Sequence, residues 1–355
     1  MIYTLQYLRA IAAIMVVMSH IAFKSTVAGA DVFGGFRIGA SGVDVFFVIS
    51  GFVMAMIYWR TPHGIPSAGD FWLKRFVRIF PMYWLVTTAA LALYLLSPSL
   101  VNANSGPTSI WRSYTLIPTL QQSDITFLIG PGWSLSFELY FYTIFSLIFL
   151  IPARRAGLTT ALAIVLLLAC GSLSGMFVTY LFTSPLLLEF AFGMLIFAWF
   201  AKARGRLPVM AGLACLAGGI GGFALLNMPG AFVLSERWWQ AGIPAALLIV
   251  GALSLEPWAM ARPSRLWLLL GDASYSLYLI HVFVLGAASR AFGLLQLRNY
   301  GPGVEIAFWC ATLLATIAAG CIAHRLIERP MTRWIASRVR SWIASSWKFA
   351  DRAPA

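Results

Sequence analysis

Charge is what this sequence has least of. Of its 355 residues only 10% are Asp, Glu, Lys or Arg, where soluble domains carry about 25%, and 60% are hydrophobic. Mean hydropathy is +0.83. These values exclude a soluble globular domain and an intrinsically disordered chain. Four cysteines are too few for a disulfide scaffold, and the 30 glycines follow no three-residue period, which excludes a collagen-like chain. Cys170, Cys215, Cys310 and Cys321 fall inside or at the ends of apolar runs, where they read as small packing residues and not as a zinc site or any other metal site. Acidic residues are scarcer still, 12 against 25 Lys and Arg, giving a net charge of +13. In a soluble protein such an excess suggests nucleic acid. Its distribution along the chain gives it another meaning.

What the sequence has is long apolar runs. A hydrocarbon layer of about 30 Å takes about 20 mainly apolar residues in a helix. Ten such runs are expected: Leu5–Phe23, Ala40–Trp59, Phe76–Leu96, Trp133–Ile151, Leu158–Leu173, Phe182–Ala201, Pro208–Leu226, Trp239–Leu255, Leu266–Arg290 and Val304–Leu326, the fifth and eighth being short. With the N-terminus in the cytoplasm, 18 of the 25 cations fall in inner loops and the C-terminal tail, 6 in outer loops, and Arg9 inside the first run. That bias sets both termini in the cytoplasm and argues against nucleic acid as a partner. A cleaved signal peptide is the rival reading of the first run, since Ala28-Gly29-Ala30 has small-x-small character. Its N-terminal region is poor in positive charge, however, and His20 and Lys24 interrupt the run.

The expectation is therefore an all-α membrane protein of about ten transmembrane helices. A multi-pass domain covers residues 1–330 and a basic tail covers 331–355. In the tail Trp334-Ile335-Ala336-Ser337 recurs as Trp342-Ile343-Ala344-Ser345, interleaved with Arg338, Arg340 and Lys348, which suits an amphipathic helix lying on the inner leaflet among membrane lipids. The longest outer segment, about Ser97 to Gly132, carries Asn102, Asn104, Trp111, Tyr114, Gln121, Gln122 and Asp124. Polar groups among aromatic faces suit sugar binding, and they equally suit an interfacial turn.

An ionisable side chain at membrane depth costs about 2.5–3.5 kcal/mol at a helix centre, so each one needs a reason. Arg9 and His20 are 11 residues apart, which places them on one helix face about 16 Å apart along the axis. Counting from the ends of their spans, Asp44 and Glu138 are expected near the depth of His20. A carboxylate beside an imidazole holds its tautomer and stabilises the imidazolium, as a general base requires. Alternatively, each acid pairs with Arg37 or Arg112 and fixes an outer turn. Lys74, Arg75 and Arg78 open the third span, with Arg75 and Arg78 one turn apart. Paired guanidinium groups suit a phosphate-bearing ligand from the cytoplasm, and they equally suit positive-inside anchoring. His281 is expected at mid-membrane depth, supporting the site or bonding another helix. Glu328-Arg329-Pro330 reads as a helix end.

Taken in order, these motifs resemble acyltransferase family 3, the multi-pass acyltransferases of bacterial surface polysaccharides. The carrying residues are Leu8-Arg9-Ala10 through His20, then Gly42-Val43-Asp44-Val45-Phe46-Phe47-Val48-Ile49-Ser50-Gly51-Phe52, and Arg75-x-x-Arg78 followed by Phe80-Pro81-x-Tyr83-Trp84. Trp133-Ser134-Leu135-Ser136-Phe137-Glu138, Ser274-Tyr275-Ser276-Leu277-Tyr278-Leu279-Ile280-His281 and Glu328-Arg329-Pro330 complete the set. Within the family the chain is similar to the compact exopolysaccharide O-acetyltransferases of the succinoglycan type. The resemblance implies a bacterial inner-membrane enzyme with no permanently bound cofactor. Its donor would be acyl-CoA, most often acetyl-CoA, arriving from the cytoplasm. Its acceptor would be a hydroxyl on a surface polysaccharide or lipid-linked oligosaccharide at the outer face. It also implies roles for Arg9, His20, Arg75 and Arg78.

The expected mechanism places CoA phosphates near Lys74, Arg75, Arg78 and Arg9, with the pantetheine arm rising through a tunnel to His20. His20, oriented by Asp44 or Glu138, would deprotonate the sugar hydroxyl for direct attack on the thioester, or else form an acyl-histidine intermediate. Ser50, Tyr275 or an indole N–H would donate to the oxyanion. The alternative of another class is a transporter or lipid-linked sugar flippase that uses the buried ionisable groups as a pathway.

Overall fold

The computed structural model describes residues 1–29, 32–33, 35–101, 108–117, 127–150, 184–205, 208–228, 230–233 and 236–350, with side chains as far as 339. No β-strand forms among the described residues. The chain runs α1 (Tyr3–Val27), a 3-10 turn (Arg37–Ser41), α2 (Gly42–Tyr58), α3 (Ile65–Leu96), the short α4 (Ile110–Thr115), and α5 (Gly132–Ser146) with a 3-10 extension (Leu147–Leu150). It continues through α6 (Leu187–Lys202), α7 (Val209–Leu226), the one-turn α8 (Arg237–Gln240), α9 (Gly242–Ser254), α10 (Glu256–Ala261), α11 (Arg265–Leu294) and α12 (Pro302–Ala323). A π-helical turn (His324–Glu328) joins α12 to α13 (Arg329–Ala350).

Seven of these stretches are long and apolar enough to cross a bilayer: Tyr3–Val27, Ile38–Tyr58, Ile65–Leu96, Gly132–Leu150, Val209–Leu226, Arg265–Leu294 and Pro302–Val339. The protein is a multi-pass membrane protein. The sixth and eighth expected spans are the shorter helices α6, with 16 residues, and α9, with 13. The fifth, Leu158–Leu173, lies outside the described residues, as do Arg154, Arg155, Cys170 and the polar residues Asn102, Asn104, Gln121, Gln122 and Asp124.

Two expectations about helix ends need correction. α3 begins at Ile65 and not at Phe76, because Gly64, at φ 132°, and Pro66 in the first turn set its start below the basic cluster. The chain also stays helical through Glu328-Arg329-Pro330. Pro330 is tolerated because the π turn directly before it widens the helix and gives its ring room against the preceding turn.

Glycine sets how closely the helices approach. Gly51 of α2 lies against the carbonyl of Phe190 and Gly193 of α6 against that of Val48, so a Cβ at either would overlap backbone of the other helix. α2, α5 and α6 run the same way, as shown by Phe47 on Trp133 and Phe190, Tyr58 on Phe145 and Phe149, and Phe52 on Phe197. Between them stands an aromatic core in which Phe190 stacks on Phe141 at 4.2 Å and on Phe47 at 4.7 Å.

α1 and α11 are likewise parallel: Gly271 meets the carbonyl of Gln6, Ser274 meets Arg9, and His281 meets His20. The free N–H groups at the start of α1 are capped from a distance. Glu256 accepts from the Tyr3 and Thr4 amides, both at 2.8 Å, and from the Thr4 hydroxyl at 2.7 Å. A carboxylate at this positive helix end both satisfies the amides and complements the helix dipole.

Candidate active site

A cavity of about 280 Å³ opens between α1, α2, α3, α5 and α11. It starts beside Met1 and Ile2 and reaches Phe46, Ser134 and Tyr278. Arg9, Arg75, Arg78, Glu138, Ser50 and Tyr275 stand on its walls among Val, Ile, Leu, Met and Phe side chains. Six of the expected site residues are thus brought together.

The cations here are held but not consumed. Arg9 donates to Gln6 at 3.3 Å and to Ser274 at 3.1 Å. Arg78 pairs with Glu328 and lies over the Tyr275 ring at 5.3 Å, yet its side chain keeps 34% of its surface free. Arg75 sits 5.9 Å from the Phe71 ring and 5.8 Å from Tyr142. Glu328, 1% exposed, also accepts from the Ser276 hydroxyl at 2.6 Å and binds His324 Nδ1 at 2.9 Å. Glu138 accepts from Ser50 at 2.9 Å and from the Tyr142 hydroxyl. Three arginines converging on a largely apolar cleft can hold a ligand with anionic groups and an apolar body.

Lys74 does not join them. It pairs with Asp70 at 2.5 Å on the outside of α3, with the two side chains 65% and 51% exposed. Lys74 lies one turn before Arg78 but about 100° round from Arg75, and its pair with Asp70 holds it away from the cavity.

Arg9 and His20 do share a face of α1, and both look toward α11. His20 packs on His281 with ring centroids 4.9 Å apart and is exposed on its other side. The expected common depth of His20, Asp44 and Glu138 is not found. Gly42 abuts Ala12 and Val16, so Asp44 lies level with about Ala12, roughly 12 Å below His20 along α1. The estimate from hydropathy missed this because the 3-10 turn Arg37–Ser41 folds down onto α1, with Gly39 against Met15, and lowers the start of α2. Glu138, bonded to Ser50, lies deeper again.

Asp44, 0% exposed, is bound by Arg237 and not by Arg37 or Arg112. Nε donates to Oδ1 at 2.8 Å and Nη2 to Oδ2 at 2.8 Å, and Nη2 also reaches the Ala40 carbonyl at 3.2 Å. Arg237 lies over the Trp133 ring at 5.3 Å, and Glu189, 0% exposed, is buried in the same bundle. The Ser50 and Tyr275 hydroxyls are also engaged, donating to Glu138 and to the Ile79 carbonyl at 2.8 Å. The expected tunnel is interrupted: the cavity ends at Tyr278, whose hydroxyl is 2.6 Å from that of Ser134, and His281 stands between Tyr278 and His20.

Across residues 2–325 the chain matches the family model described as Acyltransferase domain. The chain belongs to the acyltransferase family. It is 37% identical over 307 residues, 84% of this chain and 91% of the relative, to the exopolysaccharide production protein ExoZ of Rhizobium meliloti (strain 1021). It is 28% identical to acyltransferase MdmB of Streptomyces mycarofaciens, covering 93% of this chain and 92% of that one. With O-acetyltransferase OatA of Staphylococcus aureus (strain NCTC 8325 / PS 47) it shares 27% identity over 83% of this chain and 53% of the relative. No solved structure matches the chain. As a membrane acyltransferase it is an enzyme, and the transporter reading of its buried charges falls away.

Sequence reasoning missed several residues of this acyltransferase. Arg237, one of the six outer-loop cations by hydropathy, directly precedes Trp238-Trp239 at the head of an apolar run, which is a signal for partial burial. Glu328, which reads as a helix end in sequence, is the buried partner of Arg78 and Ser276. Tyr142, one turn beyond Glu138, and Ser274, in the same motif as Tyr275, were within reach of helical periodicity.

Proposed function

We propose that this acyltransferase moves an acyl group, most simply acetyl, from acyl-CoA to a hydroxyl of a surface polysaccharide or lipid-linked oligosaccharide, with His20 as general base. The observation that carries the donor half is the cavity on which Arg9, Arg75 and Arg78 converge. Its arginines suit the phosphates of CoA, and its apolar length suits a pantetheine arm and a short acyl group. The acceptor half is supported by the relatives, one named for exopolysaccharide production and another as an O-acetyltransferase, and by His20 lying exposed beyond the closed end of the cavity. The sugar hydroxyl oxygen bonds to the thioester carbon, the C–S bond breaks, and the proton taken by His20 passes to the departing CoA thiolate.

The membrane arrangement belongs to the same proposal: ten spans in the bacterial inner membrane, both termini cytoplasmic, and residues 331–355 an amphipathic tail on the inner leaflet. Helix directions support the count. α5 and α6 both run with α2, and α1 runs with α11, as the alternating spans of this arrangement require.

The test is transfer of labelled acetyl from acetyl-CoA to cell-surface polysaccharide in membranes. Loss in His20→Ala with protein level unchanged is expected, and retained transfer would overturn the role of His20. Trapping of label on the protein without acceptor would replace direct attack with an acyl-enzyme route.

A further inference from the structure

We infer that His281 is the positioning residue of His20, its Nε2 lone pair receiving the N–H of the His20 imidazole in the place that sequence reading gave to Asp44 or Glu138. This rests on the proposed role of His20 as base. His281 is 0% exposed, and its Nδ1 lies 2.7 Å from the Tyr278 carbonyl oxygen. A carbonyl only accepts, so Nδ1 carries the proton, and in a neutral ring Nε2 is then an acceptor. A doubly protonated ring would be a buried cation, which the interior disfavours.

Nε2 is buried and has no hydrogen-bond partner among the described residues. Its ring contacts are His20, at 4.9 Å and tilted by 39°, and Tyr278, at 5.9 Å, whose hydroxyl is already bonded to Ser134. His20 is exposed on its far side, so its ring is free to turn about χ2 and bring an N–H onto this lone pair. The carboxylates that sequence reading offered are engaged elsewhere, Asp44 by Arg237 and Glu138 by Ser50 and Tyr142.

The chemistry suits the task. When His20 takes the hydroxyl proton on one ring nitrogen, its other N–H holds to His281, which fixes tautomer and orientation together. A neutral acceptor also leaves the resting His20 uncharged and ready to accept a proton, where an adjacent carboxylate would favour the imidazolium.

Steady-state acetyl transfer by the purified full-length protein, with acetyl-CoA and oligosaccharides released from the host's surface polysaccharide, tests this. His281→Leu should lower kcat about 10- to 100-fold, the range of a lost charge-assisted hydrogen bond, with KM for both substrates within about twofold of the parent. His281→Gln, whose amide oxygen can reach the Nε2 position, should recover most of that loss. Parent-like kcat in His281→Leu overturns the inference, and so does equal loss in the Leu and Gln variants. His20→Ala assayed in parallel separates the two levels. If it is active, the base assignment has failed; if it is inactive while His281→Leu is normal, only the pairing has failed.

Discussion

Two arginines of this acyltransferase, each paired with a buried carboxylate, look alike in sequence and behave oppositely in structure. Arg237 spreads its guanidinium over both oxygens of Asp44 and the Ala40 carbonyl, and its side chain is 10% exposed. Arg78 is also bonded to a buried carboxylate, that of Glu328, but it is 34% exposed and faces a cavity. The first has Nε and Nη2 bonded to the protein and ties α8 to α2. The second is anchored at one end and keeps donors for something else. A structural arginine and a binding arginine differ in what is left over, which neither residue type nor burial alone reveals.

Breaking the pair that is already satisfied should have the largest effect. Arg237→Leu strands the Asp44 carboxylate, and removing one partner of a buried ion pair costs about 3–5 kcal/mol. A steep fall in thermal stability in detergent and in membrane level is expected, and Asp44→Asn with Arg237→Leu should recover part of it. Thermal unfolding monitored by size exclusion reads both; a stable Arg237→Leu would remove the contrast.

Arg78→Ala should act on binding more than on folding. A rise of about 10- to 100-fold in KM for acetyl-CoA is expected, with little change for the sugar and a smaller fall in unfolding temperature than in Arg237→Leu, because Glu328 keeps Ser276 and His324 as partners. Equal loss for both substrates would make Arg78 structural like Arg237.

Glu328→Gln tests whether the anchor matters. The amide keeps hydrogen bonds but drops the charge, so donor KM should rise less than in Arg78→Ala, by about 3- to 10-fold, measured in the same titration. At the small end, Lys74→Ala should leave donor KM within about twofold, because its exposed pair with Asp70 lies off the cavity and such pairs contribute about 0–1 kcal/mol.

Much of this was legible beforehand, and the failures share a cause. The common face of Arg9 and His20 follows from helical period alone, and the Arg75-x-x-Arg78 spacing put both arginines on the cavity wall. Depth was misjudged because hydropathy gives where a span becomes apolar and says nothing about how far its neighbour rides up beside it; the contact of Gly42 with Ala12 and Val16 lowers Asp44 by about two turns. Glu328 was hidden because an acid followed by Arg-Pro ordinarily ends a helix. Arg237 was hidden because its partner lies 193 residues away, and no local pattern carries such a pairing.

The wide turn at His324–Glu328 has an effect that reaches beyond its five residues. A π turn takes one residue more than an α turn, which rotates all that follows by about 100° relative to the helix before it. The angular setting of Arg329, Arg333 and Trp334 about their axis is therefore fixed by the same local widening that accompanies the carboxylate's approach to Arg78. Deleting a single residue there would restore a regular spiral and leave the basic stretch on the same flank of the bundle, while removing the widening that accompanies the carboxylate's approach to Arg78.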